Sequence, residues 1–104
     1  MPNLEFFVIA DAHTALAFSL AGVRGGVATT PGQARDLLLQ SRQDPEVGLI
    51  LISERLAEQI REVVDAARRD SVQPLILEIP DLAGPVARKE SLLERLRALM
   101  GLPK

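Results

Sequence analysis

The chain has no cysteine, no tryptophan and no tyrosine among its 104 residues, and only one histidine. Without cysteine, disulfides, thiolate metal sites, cysteine nucleophiles and cysteine-held iron–sulfur clusters are excluded. One histidine does not supply a structural metal site on its own. Three phenylalanines are the whole aromatic content, 3% of residues, so the core must be aliphatic: Leu, Ile, Val and Ala. A basic excess is missing too. Lys and Arg number 12 against 14 Asp and Glu, a net charge of −2. That balance excludes the strongly basic footprint of a nucleic-acid binder and argues against a polybasic membrane anchor. No apolar run approaches the ~20 residues of a membrane span. The opening Met1-Pro2-Asn3-Leu4-Glu5 has no basic n-region, and the apolar stretch behind it is too short for a secretory signal. The expectation is a cytoplasmic chain that takes no nucleic acid and does not insert into a membrane.

What is present is ordinary for a soluble domain, with 47% hydrophobic and 25% charged residues. The length suits one domain. Leu4 to Ala10 is a short apolar run rich in strand formers, ending at Asp11. Thr14 to Ala21 favours helix and closes at Gly22. Val23 to Thr29 reads as a glycine-weakened strand near a sheet edge. Thr30, Pro31 and Gln33 predict a helix start: a cap, a first-turn proline and a capping box. Val47 to Ile52 is a third strand. Ser53 then caps a helix predicted to run unbroken to about Arg69, on a stripe of Leu56, Ala57, Ile60, Val63, Val64 and Ala67. Arg61, Asp65 and Arg69 fall four apart on its other face, the pattern of a solvated surface. Gln73 to Ile79 is a fourth strand. A turn-rich loop and a last helix with Leu92, Leu93, Leu96, Leu99 and Met100 on one side follow. Alternating strands and helices predict an α/β fold: a small parallel four-stranded sheet, helices on both faces, receiver-like. The expected division is a sheet domain over 1–84 and a C-terminal helix over 85–104 that packs on its own sheet or leaves it for a partner.

In such folds chemistry sits at the strand exits. Those exits read Asp11-Ala12-His13, Thr29-Thr30, Ser53-Glu54-Arg55 and Pro80-Asp81. A receiver phosphorylation site needs an acidic pair, an acceptor Asp and a late Lys. Asp11 has no acidic neighbour, Ser53 stands at the acceptor position, and no Lys stands at the exit of the fourth strand. No glycine-rich run leads into Lys and Ser or Thr, so no phosphate-binding loop is present. Gly22, Gly25 and Gly26 fail the dinucleotide spacing and read as a helix stop and a bend. His13 beside Asp11 has two readings, a phospho-carrier or an exposed residue at a helix start capped by Asp11. The expectation is no catalytic residue, no cofactor and no metal.

The informative features are apolar. From Ala12 to Val23 there is no charged side chain. Leu16, Phe18 and Leu20 in that window span too wide an arc, at ~100° per residue, to share one core. The helix is therefore either deeply buried or covered by a partner. The last helix sets a leucine stripe beside Arg88, Lys89, Arg95 and Arg97. Candidate partner-contacting residues are Leu16, Phe18, Leu20, Leu92, Arg95, Leu96, Leu99 and Met100.

Three segments together resemble the F subunit of the archaeal and vacuolar-type rotary ATPases. They are Ala10-Asp11-Ala12-His13-Thr14 continuing through Leu20-Ala21-Gly22-Val23, Ile50 to Ile60, and Pro74 to Pro85. Ala10 and Ala17 stand where that family usually has glycine. The resemblance implies a receiver-like parallel α/β domain and a non-catalytic subunit of the central rotor stalk. It also implies a C-terminal helix lying along the coiled-coil axle, which is the D subunit of those complexes. ATP chemistry would then belong to the A and B subunits, and this chain would couple or regulate ATP hydrolysis or synthesis with proton or sodium ion transport, peripheral to the membrane. Two other readings stay open at this point: a degenerate receiver-like interaction module in signalling, and a phospho-carrier using His13.

Overall fold

The computed structural model describes residues 4–71, 73–80 and 101. Four strands alternate with helices: β1 (Glu5–Ala10), α1 (Ala12–Leu20), β2 (Arg24–Val27), α2 (Pro31–Gln43), β3 (Val47–Ser53), α3 (Glu54–Gln59), α4 (Arg61–Asp70) and β4 (Leu75–Ile79). The strands form one sheet in the order β2-β1-β3-β4, and every pairing is parallel. The expected α/β class and the edge position of the glycine-weakened strand are therefore observed.

The sheet divides the core in two. On one face Ile9, Ile50, Ile52 and Ile76 meet Ala34 and Leu38 of α2, Leu56 and Ala57 of α3, and Val64 and Ala67 of α4. On the other face Val8, Ala10, Leu51 and Ile79 form a smaller cluster that receives Phe18 of α1. Strands buried on both faces need apolar residues at successive positions, which is why the strand sequences read as continuous runs rather than alternations. The described core is aliphatic, as the missing aromatics require.

Four local expectations are corrected. The helix after β3 is broken: Ile60, with φ −123° and ψ 37°, separates α3 from α4. Its N–H is shared between the Leu56 and Ala57 carbonyls, both at 3.2 Å. The apolar stripe passes through the break, and Ile60 itself is buried with both helices, so periodicity carries no sign of it. The α2 capping box is offset by one residue. Thr30 Oγ1 accepts from Gln33 N–H, but Gln33 Oε1 accepts from the N–H and hydroxyl of Thr29. Gly25 and Gly26 are not a bend; they lie within β2. Finally, Arg61 is not on a freely solvated face but is held by carboxylates, described below. The predicted last helix and the boundary at residue 84 lie outside the described residues.

Candidate functional site

The first strand exit builds α1. Asp11 is extended and caps the helix: its Oδ2 accepts from His13 N–H at 3.1 Å and its Oδ1 from the Thr14 hydroxyl at 2.5 Å. Partial burial raises the Asp11 pKa, but hydrogen bonds from Thr14 and His13 outweigh it and hold the carboxyl below its ordinary value. The His13 side chain is 84% exposed, with Nδ1 3.9 Å from Asp11 Oδ2. This is the arrangement of the capping reading. The helix ends in a Schellman turn: Val23 N–H reaches Phe18 O and Gly22 N–H reaches Ser19 O, each at 3.0 Å. Gly22 takes φ +86°, a value that glycine adopts without a side-chain clash.

These two ends fix how α1 rolls on the sheet. Thr14 is fully buried and Phe18 is half-buried against the Val8 cluster. Leu16 and Leu20 then point away from the sheet and are 60% and 83% exposed. The three candidates are thus separated: Phe18 anchors the helix, while Leu16 and Leu20 stand one turn apart on its outer face. That face has no charge, since the nearest charged residues along the chain are Asp11 and Arg24. At the C-terminal end of α1 a groove of about 290 Å³ is lined by Leu4, Glu5, Phe6, Gly22, Val23 and Arg24. Leu4 and Phe6 are about half exposed there. Leu92, Arg95, Leu96, Leu99 and Met100 lie outside the described residues.

The exits of β2 and β3 are likewise spent on helix starts. Thr30 caps α2, and the fully buried Ser53 caps α3, its Oγ accepting from Leu56 N–H at 3.3 Å. Among the described residues no group of three or more His, Asp or Glu gathers where it could hold a metal ion. None of the described helices is long and apolar enough to cross a membrane.

The residue pattern did not reveal one polar cluster. Arg61 makes a two-pronged contact with Glu78, both bonds at 2.7 Å, and also reaches Glu58 at 3.0 Å and Asp65 at 3.6 Å. Arg68 meets Glu78 at 3.1 Å and donates to the Ile76 carbonyl at 2.9 Å. The Arg61 hydrogen bonds lower the Glu78 pKa; partial burial opposes them, and Arg68 assists. Arg61 is correspondingly held above the ordinary guanidinium value, first by Glu78 and then by Glu58. The usable signal was Glu78 itself. A carboxylate inside an otherwise apolar strand demands a cation nearby. The cluster clasps α4 to β4, remote from α1 in the sheet order.

Over residues 6–96 the chain matches the family described as ATP synthase (F/14-kDa) subunit. It is 31% identical to the A-type ATP synthase F subunit of Methanothermobacter thermautotrophicus over 97 residues, 91% of each chain. It is 35% identical to the corresponding F subunit of Thermococcus sibiricus over 104 residues, which covers 95% of this chain and 96% of that one. For the F subunit of Thermococcus kodakarensis the figure is 34% over 104 residues, with the same coverage.

Proposed function

The chain belongs to the ATP synthase (F/14-kDa) subunit family, and from that premise we propose that it is a non-catalytic subunit of the central rotor stalk of a rotary ATPase. In this reading it binds the coiled-coil axle, the D subunit, and reaches the catalytic A and B subunits indirectly. It couples or regulates ATP hydrolysis and synthesis with proton or sodium ion transport, at the periphery of a membrane-bound complex.

The observation that carries the reading is the outer face of α1. Leu16 and Leu20 are four apart, exposed and free of neighbouring charge. Side chains at that spacing form a ridge that fits the groove of another helix. A coiled coil offers such grooves along its length. The non-catalytic part of the proposal draws support from the strand exits, where Asp11, Thr30 and Ser53 are occupied as helix caps. We further propose that residues 1–84 are the sheet domain and that 85–104 dock along the axle. Leu92, Leu96, Leu99 and Met100 would supply apolar anchors there, and Arg95 a charge at the rim.

Co-expression with a tagged axle protein tests this. The wild-type chain should be retained, and the Leu16→Glu/Leu20→Glu double variant should be lost while remaining folded. Two apolar anchors, each worth ~1.5–3 kcal/mol when buried, give way to charges. Retention of that variant at the wild-type level would remove α1 from the interface. Failure of the wild-type chain to bind would remove the stalk assignment.

A further inference from the structure

The two edges of the sheet are finished differently. At β4, Arg68 donates to the Ile76 carbonyl, and Pro74 leading into the strand has no N–H to offer. Both are devices that keep an edge from accepting another strand. The β2 edge has neither. Ala28 N–H bonds to Ala10 O at 2.9 Å, and residues along a strand alternate in the neighbour they address. Arg24 and Gly26 therefore bond to β1, while Gly25 and Val27 turn N–H and C=O outward. No hydrogen bond among the described residues reaches those outward groups.

This open window has defined ends. On one side Val23 N–H is taken by Phe18 O at 3.0 Å. On the other, Thr29 N–H is taken by Gln33 Oε1 at 2.8 Å. Between them lie two outward residues placed symmetrically about Gly26. Packing keeps the window bare. A Cβ on Gly25 would run into the Val8 side chain and come within 2.5 Å of the Val8 carbonyl oxygen, and one on Gly26 would come within 2.6 Å of Leu37. Arg24 does not guard the strand, because its guanidinium is drawn to Glu5 at 2.8 Å and Asp44 at 3.5 Å.

We propose that β2 is a self-pairing edge, at which two copies of this chain join antiparallel about a twofold axis through Gly26. Gly25 of one copy lies opposite Val27 of the other, and the two such pairs make four backbone hydrogen bonds. The result is a continuous sheet with β2 no longer at an edge. Arg24 lies opposite Ala28, so no like charges meet. The occupant is a second copy because the window is self-complementary about Gly26 and is closed at both ends to a longer ladder. With so small a contact the dimer is weak and concentration-dependent. This inference concerns the free chain and does not rest on the stalk assignment.

Sedimentation velocity of the full chain from about 10 μM to about 1 mM tests it. The wild-type chain should show reversible dimerisation. Val27→Pro removes an outward donor without touching the β1 ladder, and edge strands tolerate proline. It should weaken association at least about tenfold, with an unchanged circular dichroism spectrum. Val27→Lys keeps the N–H but adds a charge to the edge; it should also weaken the dimer, and it serves if the proline variant unfolds. In a mixture of labelled and unlabelled wild-type chains, isotope-filtered NMR should show contact between the Gly26 α-protons of two copies. A chain monomeric throughout, a dimer untouched by both Val27 variants, or a dimer abolished only by Leu16→Glu would overturn the proposal.

Discussion

Within Leu75–Ile79, Glu78 is the one charged side chain, and two arginines, Arg61 and Arg68, meet it. Glu78→Gln should lower the melting temperature by about 2–6 °C at neutral pH, since the cluster is partly solvated and its pairs are individually modest. The pH dependence has a definite sign. Glu78 and Asp11 both have lowered pKa values in the folded chain. Their contribution is complete above the unfolded carboxylate values, about 4, and is lost as pH falls through the lower folded values. The stability gap between wild type and Glu78→Gln should therefore be constant above about pH 5 and shrink below about pH 4. Thermal melts across that range check it; a gap that widens on acidification contradicts the ion-pair account. Arg61 was visible in sequence only as one member of a four-residue spacing. Helical periodicity reports which residues share a face of one helix. It does not report that a strand carboxylate lies seventeen residues further on.

At the scale of elements, most of the fold was legible because local signals and burial agreed. The Asp11 cap, the Gly22 stop, the Thr30–Pro31 start and the Ser53 cap each sit where the structure uses them. Asp11→Ala should destabilise the chain by about 0.5–2 kcal/mol, because two donors at the start of α1 lose their acceptor. Gly22→Ala should cost about 1–2 kcal/mol, because φ +86° is strained for a residue with a Cβ. Chemical denaturation measures both. An Asp11→Ala chain as stable as wild type would mean that the cap is made by water instead. The break at Ile60 was not legible: neither glycine nor proline marks it, and the stripe of buried residues runs straight through. The exposure of Leu16 and Leu20 was legible as an arc too wide for one core. Which of the three apolar residues turns inward was not, because that depends on how the cap and the Schellman turn roll the helix against Val8.

At the scale of the whole molecule, the sheet separates two kinds of surface. The Arg61–Glu78–Arg68 clasp finishes the β4 side, while the uncharged face of α1 and the bare β2 edge lie on the other. The proposed stalk role calls for a firm core and an apolar docking face, and the exposed Leu16–Leu20 face of α1 is the surface proposed for it. In titration against the axle protein, Arg95→Glu/Arg97→Glu should weaken binding modestly and more at low salt than at high salt, as rim charges do. Salt-independent loss would place those arginines at the centre of the contact instead. In the proposed rotor role this chain turns with the axle, and single-molecule rotation distinguishes a turning subunit from a stationary one. The chain has no cysteine, so Glu46→Cys, exposed on the turn before β3, provides one attachment point for a bead on a complex immobilised through its catalytic subunits. The bead should rotate in one direction while ATP is hydrolysed. A bead on this chain that stays still, while one on the axle turns, would contradict the assignment to the rotor.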